Sequence, residues 1–80
     1  MVLVRILDIK AQSWADPIAF ATEGAALRSF GDAVNQEGQA YNSHAEDFSL
    51  WHVADFLSDA AVLQPVDPPL KLAEAEHFKD

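Results

Sequence analysis

The chain contains no cysteine, which removes disulfides, thiolate metal sites and thiol redox chemistry and fits a reducing compartment. Cations are scarce too: Arg5, Lys10, Arg28, Lys71 and Lys79 stand scattered against thirteen acidic residues, for a formal charge of −8. Proteins that grip duplex DNA do so with clustered Lys and Arg that displace counterions. Sequence-independent binding to double-stranded DNA is therefore disfavoured, and anionic membrane surfaces with it. Long apolar runs are missing, since stretches such as Met1 to Val4 fall far below the ~20 residues that cross a bilayer. The first residues carry no basic segment, no apolar stretch of signal length and no small-residue cleavage site. Neither a membrane nor a secreted location has support, and the expected location is a cytoplasm.

What remains is a chain of 80 residues, half of them hydrophobic. That length builds one domain around one core, and a core of this size supplies only about 3–5 kcal/mol. Without disulfides, association with other chains is the remaining support, so a homo-oligomer is expected.

VLVRILDIK, from Val2 to Lys10, is rich in β-branched and apolar residues and predicts a strand. Val2, Val4 and Ile6 lie on one side and Leu3, Leu7 and Ile9 on the other, so both faces need cover. Ala11 to Pro17 reads as a connection, after which Ile18 to Ala21 pairs back on the first strand. Thr22 is suited to cap a helix that runs to about Asn35, with Glu23 near the positive end of its dipole. Its apolar stripe is Ala26, Leu27, Phe30, Ala33 and Val34, with Arg28 and Asp32 as a surface pair. Gly31 permits close backbone approach. Asn35 to Asp47 is a polar connection that uses Gly38 for a turn. Phe48, Leu50, His52, Ala54 and Phe56 then alternate with Ser49, Trp51, Val53 and Asp55 as a strand whose first set faces the core. A turn at Ser58, Asp59 and Ala60 leads to a short return strand, Val62 to Gln64. Pro65, Pro68 and Pro69 form an extended elbow. The tail LKLAEAEHFKD reads as a helix by its Ala, Leu, Lys and Glu content, or as an edge strand by Leu70, Leu72 and the prolines, with the helix preferred. The fold class is α+β: a small antiparallel sheet of about four strands packed against one main helix.

His44, Glu46, Asp47 and His52 are metal-ligand residue types, but no recognised ligand spacing accompanies them, and turn-capping polar residues explain them equally well. Asp55 and Asp59 form no catalytic grouping with a nucleophile or a glycine-rich loop. A chain this short has little material for a water-excluding pocket beside its core, so neither an enzyme, a cofactor nor a small-molecule substrate is expected. The aromatics Trp14, Tyr41, Phe48 and Trp51, with Arg5, Lys10 and Arg28, match the chemistry of a single-stranded nucleic-acid platform. They match core and interface anchors as well. Trp51, opposite in parity to Phe48 and Leu50, makes a second apolar patch.

Two segments carry a family resemblance. Ala26, Arg28, Phe30, Asp32, Val34 and Asn35 meet an A-x-R-x-F-x-D-x-V-N-like pattern, and His44, Glu46, Asp47, Phe48, Leu50 and Trp51 meet H-x-E-D-aromatic-x-L-aromatic. Together they resemble the small non-structural protein of gokushoviruses and related microviruses. The turn departs from that family, with Leu57, Ser58, Asp59, Ala60 and Ala61 where relatives show an acidic, glycine-containing turn. The resemblance implies a viral protein made in the cytoplasm of an infected bacterium, absent from the capsid and serving replication or packaging of a circular single-stranded DNA genome. That resemblance and the acidic surface together motivate the expectation of an oligomeric adapter contacting viral or host replication and packaging proteins, with direct contact to single-stranded DNA through the aromatics and the few basic residues as the alternative. An acidic surface that imitates DNA toward a basic partner is a third reading.

Overall fold

β-Branched and apolar residues at both parities of the first segment favour extended backbone with cover on each side. In the computed structural model, which describes residues 1–57 and 62–79, this segment is β1 (Val2–Asp8). It lies inside an antiparallel sheet. Two short strands, β2 (Ser13–Trp14) and β3 (Ile18–Phe20), pair with one edge of β1, and β4 (Phe48–Leu57) pairs with the other. β5 (Val62–Glu74) continues the sheet beyond β4. Ile18 thus pairs back as expected, whereas the connection before it contains the extra strand β2. A tight turn makes room for β2: the Ala11 amide donates to Asp8 Oδ1 at 3.1 Å, and Gln12 takes a positive φ of 53°.

The main helix, α1, spans Glu23–Val34, with Thr22 at its N-cap and Asn35 at its C-cap. Thr22 Oγ1 accepts the Ala25 amide at 3.1 Å, meeting one of the helix's unpaired first-turn donors. Ala26, Phe30 and Val34 recur at spacings of four and are buried against Val4 and Leu50. Arg28 and Asp32 are exposed, and the expected pair does not form within ion-pair distance; solvent offers each group as much as the other would.

Two departures follow from pairing beyond the reach of local sequence. The polar connection after α1 holds a short helix, α2 (Ala40–Ser43), and a 3-10 turn, Ala45–Asp47. Gly38, at φ 87°, makes the turn into them. Asn42 Nδ2 donates to the Val34 carbonyl at 2.8 Å, fastening the connection to the end of α1. The tail is strand up to Glu74, with a 3-10 turn at Ala75–His77 rather than a longer helix. Leu72 packs on the core and the β4 backbone supplies a ladder, so tertiary pairing overrides the helical propensity of the segment. Pro65, Pro68 and Pro69 are accommodated because β5 ends the strand order, and the ladder skips from Pro65 to Leu70. The expected turn at Ser58 to Ala60 lies outside the described residues.

An aromatic series closes the core. Phe78, Phe30, Tyr41 and Phe48 meet edge to face in turn, with centroids 6.0, 6.4 and 4.8 Å apart, the geometry that ring quadrupoles favour. Beyond the start of β1, β4 and β5 run on as a two-stranded arm, pairing Phe56 with Leu63 and Leu57 with Val62. Met1 ties the arm's base, accepting the Phe56 amide at 2.8 Å. The Cα envelope measures 40 × 23 × 17 Å, and the radius of gyration of 12.8 Å exceeds the about 12 Å expected at this length.

A Cβ placed on Gly31 would stand 3.1 Å from the Phe78 ring, so this glycine admits a side chain rather than a second backbone. Gly31→Val is expected to lower stability by about 1–3 kcal/mol through overpacking, and Thr22→Ala by about 1 kcal/mol through loss of the cap. Urea denaturation followed by far-ultraviolet circular dichroism measures both.

Candidate functional site

Every helical segment that contributes buried residues to the core, through Ala26, Phe30, Val34, Ala45 and Ala75, does so on the Val4 and Leu50 side of the sheet. The other side is left to Leu3, Arg5 and Leu7 of β1 and to their cross-strand neighbours. Register places Trp51 opposite Arg5, and Trp14 opposite Leu7. The two indoles meet edge to face at 5.7 Å, and the Arg5 guanidinium lies 5.7 Å from the Trp14 ring centroid. Trp14 remains 38 % exposed.

Several polar atoms of this face are engaged within the chain. Trp51 Nε1 donates to the buried Ser49 Oγ at 2.8 Å. Arg5 Nε donates to the Ala15 carbonyl at 2.7 Å and Nη2 to the Trp14 carbonyl at 3.5 Å, fastening β2 to the sheet. Lys71, opposite Trp51, forms an ion pair with Glu74, opposite Ser49. The Lys71 ammonium, through its hydrogen bond and its charge, holds the Glu74 carboxyl below its ordinary value. With the Trp51 indole N–H and two Arg5 N–H groups engaged within the chain, indole and aliphatic surface here can be covered at reduced desolvation cost.

The platform anticipated from sequence is smaller than expected. Arg5, Trp14 and Trp51 come together, but Tyr41 and Phe48 belong to the aromatic series of the core. Lys10 is exposed and borders a separate open depression with Asp8, His44, Glu46 and Asp47. Arg28 is exposed on α1, the helix that covers the opposite side of the sheet. Within the depression, His44, Glu46 and Asp47 bring one donor atom each within 4.8 Å of the others. His52 is not among them. Its Nε2 meets Asp55 Oδ1 at 2.9 Å on the helix side.

The His52–Asp55 contact had no signal in the alternation, because residues three apart on a regular strand point to opposite faces. A bulge reverses that parity. Leu3 pairs with Ala54 and Val4 with His52, leaving Val53 without a partner on β1. Beyond it Ala54 lies opposite Leu3 and Asp55 opposite Val2, so Ala54 and Phe56 leave the core-facing set to which alternation assigned them. They extend the tryptophan face instead.

Residues 1–78 match the family described as Phage ORF5 protein. The chain belongs to this family of phage proteins. Comparisons with curated proteins and with solved structures gave no match.

Within this phage protein, the residues of the two segments singled out above divide between architecture and surface. Phe30 and Leu50 are core, and Phe48 packs on it. Asn35 Nδ2 donates to the Phe78 carbonyl at 2.8 Å and to the Gly31 carbonyl at 3.3 Å, joining the end of α1 to the C-terminal segment. Asp32, His44 and Glu46 are exposed, and the Asp47 carbonyl accepts the Ile9 amide at 2.9 Å. Ser49, Glu74 and Phe78 were missed, since nothing in residue type or spacing announces an internal acceptor, a neutralised carboxylate or a late aromatic. Among the described residues no helix is long and apolar enough to cross a membrane.

The Glu74 carboxyl gives a pH prediction with a definite sign. Its folded value lies below its ordinary 4.5, so the unfolded chain binds the proton more readily. The stabilisation is fully present above that ordinary value and is lost as pH falls through the lowered folded one. Lys71→Met is expected to return Glu74 toward 4.5, read as an upward shift in its carboxyl carbon-13 NMR titration.

Proposed function

We propose that this phage protein is a non-structural, non-enzymatic component of replication or packaging of a circular single-stranded DNA genome in the infected bacterium. It acts as an adapter, holding replication or packaging proteins rather than transforming a substrate. The process is supported by the resemblance to the gokushovirus protein. The mode of action is supported by one observation above others: Trp14 and Trp51 stand on a sheet face left open by the helices while the Trp51 N–H and the Arg5 Nε are engaged within the chain. Interface anchors are typically aromatic side chains in such settings. The formal charge of −8 favours a protein partner over nucleic acid.

Direct binding of single-stranded DNA is the second reading, favoured by the Arg5 guanidinium at the Trp14 ring and by Lys71 opposite Trp51. An indole flanked by a cation suits a stacked base beside its phosphate. The two readings separate in one titration. The adapter reading expects no salt-dependent quenching of tryptophan fluorescence by oligonucleotide, whereas direct binding expects quenching that weakens as salt rises. In pull-downs at physiological salt, the adapter is expected to retain the phage replication initiator or the host helicase. Trp51→Ala is expected to reduce that retention by about tenfold or more, and retention of neither protein by the unaltered chain defeats the reading.

A further inference from the structure

We infer that the tryptophan face is a self-association surface, on which a second copy of this chain packs its own face around a twofold axis. This rests on the reading of the face as a protein-contact surface and names its first occupant. The two longer axes of the envelope, 40 and 23 Å, leave room on one side of the sheet for the ~800 Å² per partner of a stable interface. Apolar groups run along the face: Leu3, Leu7, Trp14 and Trp51, then Phe56 beyond the bulge, with Ala54 buried beneath them. The hydrogen bonds of Trp51 to Ser49 and of Arg5 to the Trp14 and Ala15 carbonyls lower the cost of burying this surface.

Charge selects a second copy as the occupant. Each chain carries −8, so two copies repel wherever carboxylates meet. Of the acidic residues that strand register places, Asp8 and Asp55 share the helix side with Phe48 and Val2. Glu74 lies on the tryptophan face, and Lys71 neutralises it there. With Arg5 added, the register-placed charges of this face come close to cancelling, so like-charged chains approach here with less repulsion. It is also self-complementary. The sheet order runs from β1 through β4 to β5, so a twofold axis along β4 lays β1 of each copy over β5 of the other. Arg5 stands in the row of Trp51 and Glu74 in the row of Ser49, so inclining that axis to the strand between these two rows sets the Arg5 of one copy toward the Glu74 of the other, as an isologous contact requires.

Light scattering on the full chain, taken up to about 100 μM to cover a dimer of micromolar affinity, is expected to give twice the 8.8 kDa chain mass. Trp14→Glu, with its fold checked by circular dichroism, is expected to weaken dimerisation by about 100-fold or more. Leu70→Glu, at a residue 54 % exposed and opposite His52 on the helix side, is expected to change it by less than about threefold. In the unaltered chain, dilution through dissociation is expected to red-shift tryptophan emission. A monomer throughout, a dimer indifferent to Trp14→Glu, or emission that does not follow dissociation overturns the pairing. Displacement of the second copy by an oligonucleotide also overturns it and assigns the face to nucleic acid. A monomer that still retains the replication initiator refutes the dimer and leaves the adapter intact; a dimer that retains neither partner protein does the reverse.

Discussion

The pairing of β1 with β4 organises the molecule, and the unpaired Val53 within it decides what each face presents. Before the bulge, β4 sends Leu50 and His52 toward the helix and Ser49 and Trp51 away from it. After it the order reverses. Asp55 joins His52 on the helix side, while Ala54 and Phe56 join Trp51. One extra residue therefore closes a His–Asp contact on one side and lengthens an apolar surface on the other. A regular strand makes neither, because a change of parity moves every later side chain to the opposite face.

This division also explains the pattern of legibility in the sequence. β1, the Thr22 cap and the bounds of α1 were readable because they depend on local propensity, a hydroxyl at the N-cap and apolar residues at spacings of three and four. The pairing of Ile18 with β1 was readable from turn residues before it. β2 was not, being two residues held by Arg5. The full length of β5 was hidden as well, because Leu70 to Glu74 are acceptable helix formers whose extended backbone is imposed by β4. For the site, residue type singled out Arg5, Trp14 and Trp51, but it grouped Tyr41, Phe48, Lys10 and Arg28 with them. Only the third dimension separates an aromatic in the core series from one on an open face.

Motif residues and surface residues likewise answer to different constraints. Asn35 uses its side chain to hold the C-terminal segment against α1, and Gly31 makes space for the Phe78 ring that this segment brings. These contacts span more than forty residues of sequence, so the C-terminal turn is part of the core rather than an appendage. The exposed His44 and Glu46 lie in the turn that carries the chain from α2 into β4. Their spacing is set by a 3-10 turn whose backbone is fixed by the Ile9 to Asp47 hydrogen bond. A cluster of ligand types in sequence is thus also the residue pattern of a tight, hydrated turn.

A strongly acidic chain ordinarily gains solubility from self-repulsion and loses cohesion by it. Here the two effects are spatially separated. The tryptophan face has the Trp51 indole donor and two Arg5 N–H groups engaged within the chain, and its carboxylate at Glu74 neutralised by Lys71. Desolvating such a surface sacrifices few hydrogen bonds to water, so apolar area and indole contact count toward binding nearly undiminished. Nucleic acid needs the opposite arrangement, with unspent cations aimed outward at phosphate. The inward direction of the Arg5 Nε and Trp51 Nε1 donors, more than the net charge alone, is what favours protein over nucleic acid in the proposed reading of this aromatic face.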